Sequence, residues 1–331
     1  MRSSTVLVAG LVISLIVAAP GLATFPGNPG RIVFDSGTSG RTELIYDYDL
    51  RTKKRRALTH RPASCPKAQW WDDGGAEYAP NGKIIAYLHR DYCDEGDFHN
   101  SLWIMRADGS RRRELSSLEG VDVESGQIAF SPDGRRVAVL SAAGTQLLLD
   151  ARTGAVVHSH RWPARSFGDH PEIDWGMGGS IAIGWTRHGS VWAVPSRGGS
   201  FEPLTFPRRP GRWGGTDFAV TFSPSGRTVA FSRTEERRGS VYEQPPLRYG
   251  IWRTSTTKPH RARRIVVSRR SELSSPVFSP DGRQVAFFDV YGISVVPSSS
   301  GRPSRRLLRS GGLGYDTRLD WQPVPRRRGQ R

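Results

Sequence analysis

The sequence repeats itself. "IAFSPDGRRVAVLS" starts at Ile128, "VTFSPSGRTVAFSR" at Val220 and "PVFSPDGRQVAFFD" at Pro276. A looser copy, "AEYAPNGKIIAYLH", starts at Ala76, and "EIDWGMGGSIAIGW" from Glu172 keeps only the outline. Each copy is a short apolar stretch, a turn and an alternating strand. In Ser-Pro-Asp-Gly the Pro presets φ at the first corner and the Asp side chain bonds nearby backbone. The Gly then takes the positive φ that lets the hairpin return. Period-2 alternation at Val137, Val139 and their counterparts predicts strands packed between neighbouring sheets.

A third strand follows each hairpin, as in "LWIMRADG" from Leu102 or "ISVVPSSSG" from Ile293. A fourth, more basic one comes next, such as "RRRELSS" from Arg111 or "ARRIVVS" from Ala262. Six anchor aromatics mark the period: Tyr78, Phe130, Trp175, Phe222, Phe278 and Trp321, spaced 43 to 56 residues apart. Four antiparallel strands recurring at this interval predict an all-β chain, a six-bladed β-propeller in one domain over residues 24–325. The terminal "RLDWQP" reads as a lone inner strand, and "NPGRIVFDS" from Asn28 begins at a second strand. Pairing the C-terminal strand into the first blade would close the ring and cover two sheet edges.

These repeats resemble the TolB-like propellers, whose WD-repeat-like blades carry the same "FSPDG" hairpin. The likeness runs from Gly30 to about Pro325; the blade around Trp175 lacks both the Pro and the Asp. It implies the fold and leaves function open, since such blades occur in binding proteins, beside peptidases and in lyases. The N-terminal α/β domain of TolB has no counterpart, so its envelope partners are not carried over.

Arg2 followed by the apolar "VLVAGLVISLIVAA" and the small residues up to Ala23 reads as a signal peptide over residues 1–23. The expectation is a secreted or envelope-associated protein, not transmembrane when mature; an uncleaved anchor is the competing reading. Cys65 and Cys93 flank one hairpin, at the same end of blade two, which makes a disulfide there geometrically plausible. Net charge is +17. An exported chain meets little nucleic acid, so an anionic envelope polymer is the electrostatic partner to consider. The Arg runs fall on outermost strands, where charge also blocks edge-to-edge aggregation. Residues 326–331 read as a basic disordered tail.

Two connections are long, His89 to Ser101 and Ser232 to Gly250. They are either recognition loops or tolerated insertions. Five or six residues before each anchor stands a carboxylate: Asp72 and Asp73, Glu124, Asp169, Asp217, Glu272 and Asp316. With His170, these predict an acidic channel mouth suited to a cation or a basic ligand. The competing account is that they satisfy turn backbone. Trp70, Trp71 and Trp213 nearby could stack a sugar or cage an ammonium group.

No histidine spacing makes a metal motif, and there is no G-x-S-x-G elbow, P-loop or dinucleotide fingerprint. The leading expectation is a monomeric binding module offering its loop-rich face to a protein, peptide or cationic ligand, without a resident cofactor. The alternative is a metal-assisted hydrolase or lyase, with a divalent cation held by the channel carboxylates.

Overall fold

The computed structural model describes residues 25–37, 42–63, 70–92, 99–121, 123, 127–141, 143–163, 171–176, 179–184, 189–205, 213–237, 248–259, 261–299, 304–309 and 318–325. Cys65, Cys93, Glu124, Asp169, His170 and Asp316 lie outside them, as do residues 1–24 and 326–331. Among the described residues every regular element is a strand, in blade-like antiparallel sheets arranged as a propeller.

The turns follow from their residues. In the hairpin at Ser131, Gly134 sits at φ 68° and its N–H donates to the Ser131 carbonyl at 2.8 Å. The Ser131 hydroxyl donates to Asp133 at 2.6 Å and accepts the Arg136 N–H at 2.9 Å. Ser279, Asp281 and Gly282 repeat this arrangement in the last hairpin.

Four sheets are separate and four-stranded. They are β8 (Ile128–Phe130), β9 (Arg136–Leu140), β10 (Thr145–Asp150) and β11 (Val156–Arg161); β12 (Ile173–Trp175), β13 (Ser180–Ile183), β14 (Trp192–Pro195) and β15 (Glu202–Pro203); β16 (Trp213–Phe222), β17 (Thr228–Arg237), β18 (Arg248–Ser255) and β19 (Arg263–Ser268); and β20 (Leu273–Phe278), β21 (Gln284–Asp289), β22 (Gly292–Pro297) and β23 (Arg305–Arg309). The remaining strands form one eight-stranded sheet rather than two blades. It holds β24 (Leu319–Val324), β1 (Asn28–Gly37), β2 (Thr42–Tyr48) and β3 (Arg55–Ala57), joined to β4 (Trp71–Tyr78), β5 (Ile84–Asp91), β6 (His99–Arg106) and β7 (Arg113–Ser117). The join is a two-residue parallel ladder, Thr42 opposite Trp71 and Glu43 opposite Asp72. Both pairs stand where their strands begin, so neighbouring sheets meet at one end.

The last strand pairs with the first: β24 runs antiparallel to β1, with Trp321 opposite Ile32. Apolar clusters fill the spaces between consecutive sheets. Leu88 and Leu102 of one sheet pack with Phe130 and Val139 of the next. Phe34 and Trp321 share a cluster with Phe288 and Ile293 of the last separate sheet, and Val33 and Ile45 share another with Tyr78 and Tyr87. Alternating side chains make this possible, since each strand sends apolar groups to both neighbours.

The two long connections are shorter than the sequence suggests. Asp91 still belongs to β5, and β17 and β18 extend their ladder as far as Glu235 opposite Arg248. Polar residues there continue the strand because cross-strand hydrogen bonds, not apolar burial, hold them.

Candidate functional site: a buried acidic channel and the seam beside it

An innermost strand has no ladder partner on its channel side, so its outward N–H groups need other acceptors. Three of the six anchors are preceded by a carboxylate that meets this need on another inner strand. Glu77 Oε1 accepts the Phe130 N–H at 2.8 Å, Asp174 Oδ2 accepts that of Phe222 at 2.6 Å, and Asp320 Oδ2 accepts that of Tyr78 at 2.6 Å. Between them lies Arg318. Its guanidinium donates to the Ile128 carbonyl at 2.8 Å, the Ile173 carbonyl at 3.0 Å and Glu77 Oε2 at 3.3 Å. Its backbone N–H donates to Asp35 at 2.6 Å.

Glu77, Asp174, Arg318 and Asp320 line a cavity of about 30 Å³, as does Phe25. That is room for a water or two. Burial raises the pKa of all four carboxyl groups. Asp320 is pushed up to about 6, and Asp35 to about 7 in spite of the N–H groups of Gly75 and Arg318. Glu77 stands well above its ordinary range even with Arg318 beside it, and Asp174 is raised too.

Three inner strands carry a bulge three residues before their anchors, at Gly75, Ala219 and Ser275. All three have positive φ, 65°, 46° and 47°. The kink aims the preceding backbone off the ladder: the Gly75 N–H reaches Asp35 at 2.7 Å, and Ala219 and Ser275 line the cavity.

Of the carboxylates expected at the mouth, Asp72, Asp73, Asp217 and Glu272 are described, and the first three each meet a basic side chain. Asp73 accepts from His89 Nδ1 at 2.7 Å, and Asp217 is gripped by Arg233 through two hydrogen bonds, one of 2.8 Å. Asp72 pairs with Arg90. In each case the partner stands directly opposite on the second strand of the hairpin. Glu272 is half-buried just before β20. Each described member that has a cation is thus tied within its own sheet. Burial raises the pKa of Asp217, against the pull of Arg233.

His89 bridges two carboxylates, its Nε2 facing Asp91 at 2.8 Å, between the edges of Trp71 and Trp103. Burial opposes its charge, but the bonds to Asp73 and Asp91 prevail and raise its pKa. Of the three tryptophans singled out, Trp70 is exposed and Trp71 packs on His89; the side chain of Trp213 lies outside the description. Where β2 meets β4, Glu43 adjoins Asp72 and is pushed up to about 11 by burial, then by the charges of Asp35 and Asp72.

Sequence reasoning missed Glu77, Asp174, Asp320, Arg318, Asp35 and Glu43. A usable signal existed for three of them: an acid directly before the anchor, in "EY", "DW" and "DW". Among the described residues no three His, Cys, Asp or Glu side chains are placed to hold a metal.

No family model and no curated protein sequence matches the chain. Solved structures do. An oligogalacturonate lyase in complex with manganese aligns with a TM-score of 0.52 at 13% identity, over 87% of this chain and 77% of that one. The oligogalacturonate lyase of Vibrio parahaemolyticus aligns with a TM-score of 0.50 at 12% identity, over 88% and 78%. At such identity the likeness is one of fold: the chain is built as a β-propeller.

Proposed function

We propose that this chain is an exported, six-bladed binding propeller whose loop-rich end takes a basic peptide or other cationic ligand. The eight-stranded sheet counts as two blades, β24-β1-β2-β3 and β4 to β7, because the β2–β4 ladder is only two residues long. With the four separate sheets this makes six, and the β1–β24 pairing closes the ring.

The observation that carries the binding reading is the size of the channel cavity. About 30 Å³ beside Arg318 is far below the roughly 300–1,000 Å³ of small-molecule sites. Recognition therefore belongs to the surface at the sheet ends, where surplus carboxyl groups gather at Asp35, Glu43 and Asp72. Export rests on the leader-like residues 1–23, and a Cys65–Cys93 bridge would suit that compartment.

The test is equilibrium binding of the purified chain to basic, acidic and neutral peptides of equal length. Saturable preference for the basic series that persists at about 0.3 M salt is the expected result. Equal, weak binding of all three, or sustained cleavage of an oligogalacturonate, would overturn it.

A further inference from the structure

Antiparallel strands alternate in direction, so the turns that join first to second and third to fourth strands all lie at the end opposite the seam. Over the first three blades these turns carry exposed cations. The β2–β3 turn offers Arg51, Lys53 and Lys54, the β6–β7 turn Arg111 and Arg112, and the β10–β11 turn Arg152. Among the described residues none of them forms an ion pair. The acids beside them are occupied by backbone. Asp49 Oδ1 accepts the N–H groups of Arg51 and Thr52 at 2.9 Å, and Asp150 Oδ1 those of Arg152 and Thr153 at 3.0 and 2.8 Å.

The turns stand side by side. Gly109 of the β6–β7 turn packs on Leu58, just past β3, where an added Cβ would lie 3.1 Å from the Leu58 carbonyl oxygen. The Arg113 guanidinium donates to the Arg152 carbonyl at 2.9 Å. The cations therefore form one continuous arc. Lys53 is held in it against the preference of its backbone. The β2–β3 and β10–β11 turns are built alike, the Lys53 N–H donating to the Asp49 carbonyl at 2.8 Å and that of Gly154 to the Asp150 carbonyl at 2.9 Å. Both residues are left-handed, at φ 59° and 77°, and Arg111 is so at 55°. Glycine adopts that conformation freely, lysine and arginine at a cost.

Two further features adjoin the arc. Val156 and Val157 open β11 just past the Arg152 turn and are 53% and 52% exposed. Between the β4–β5 and β6–β7 turns lies an open cleft of about 560 Å³, lined by Lys83 and Arg106 beside Ile84 and Ala107. Asp108 also lines it, its carboxylate taken by the Ser110 N–H at 2.9 Å.

We propose that this end of the protein docks on an anionic phospholipid bilayer, with the arc against the phosphates, a headgroup in the Lys83–Arg106 cleft, and Val156 and Val157 in the interfacial layer. A soluble polyanion would satisfy the cations but would leave the two valines in water, whereas a bilayer takes both kinds of group. Docked so, the protein turns its loop-rich end away from the membrane, whichever ligand that end takes.

The experiment is co-sedimentation of the full chain with phosphatidylcholine vesicles, with and without about 30% phosphatidylglycerol. Residues 1–23 are the same in every variant, so only differences between variants and between lipids are read. Anionic vesicles are expected to bind at least about tenfold more tightly, the excess fading with salt. Lys53→Glu with Arg111→Glu is expected to lower that binding at least about tenfold, and Val156→Ser with Val157→Ser about threefold. Arg269→Glu with Arg270→Glu makes the same charge change on exposed residues at the other end, and is expected to leave binding intact. Equal loss from the two pairs of reversals, or equal binding to the two lipids, overturns the proposal. So does binding that ignores the valine variant and is matched by soluble polyphosphate, which would make the arc a site for a linear polyanion.

Discussion

Asp320 and Tyr78 are 242 residues apart in sequence, yet Asp320 Oδ2 accepts the Tyr78 backbone N–H at 2.6 Å. One carboxylate thus joins the last strand, β24, to β4 across β1 and β2 of the same sheet. Because it is buried, it makes this contact between β24 and β4 sensitive to pH.

The first prediction follows from that sensitivity. The folded pKa of Asp320 is raised to about 6, that of Asp35 to about 7, and that of His89 lies above its ordinary value. A group with a raised folded pKa binds its proton more tightly folded than unfolded. Its contribution is present below the unfolded pKa and is lost as pH rises through the folded one. Stability should therefore fall from about pH 4 to pH 7 as these two carboxyl groups ionise. Asp320→Asn, which keeps an acceptor for Tyr78, should flatten that slope, and urea midpoints at four pH values check it.

Arg318 holds two carbonyls and one carboxylate from three different inner strands. Arg318→Met should cost about 3–5 kcal/mol, because it removes the donor to Glu77 Oε2 and to the Ile128 and Ile173 carbonyls. Arg318→Lys should recover little, since an ammonium does not reproduce the guanidinium fork. Chemical denaturation of the three proteins decides this.

Gly82 and Gly282 occupy the same turn position at φ 64° and 72°. An added Cβ at Gly82 would lie 2.1 Å from the Pro323 carbonyl of β24, whereas at Gly282 the nearest atom, in Pro224, is 3.6 Å away. Gly282→Ala should cost only the left-handed strain, about 1–2 kcal/mol. Gly82→Ala should cost clearly more, by forcing β24 away. The difference between their unfolding free energies tests whether the terminal strand is seated where the ring needs it.

Ala219 and Ser275 carry positive φ without being glycine. Ala219→Gly and Ser275→Gly should each stabilise the fold by about 0.5–1 kcal/mol if the freed strain exceeds the added chain entropy. Thermal unfolding of the single and double variants measures it.

Much of the fold was legible because its signals are local. Each Ser-Pro-Asp-Gly turn closes within six residues, and Ser131, Asp133 and Gly134 need only one another to do so. The apolar runs from Val137 and Val285 likewise mark strands buried on both faces, with Val137 to Leu140 and Val285 to Phe288 buried throughout. The candidate site was less legible. The spacing places Asp73 and Asp217 before their anchors but does not show that His89 and Arg233, sixteen residues on, stand opposite them. Strand register makes those pairs, and register depends on where each bulge falls.

The sequence alone determined the strand repeat and the turn chemistry, because these rest on spacing along one chain. Tertiary structure decided which acids meet. Glu77, Asp174 and Asp320 converge on Arg318, and Glu43 lies against Asp72, only because separate sheets turn their inner ends toward one channel. Charge burial depends on distance through space, and no one-dimensional pattern carries that distance.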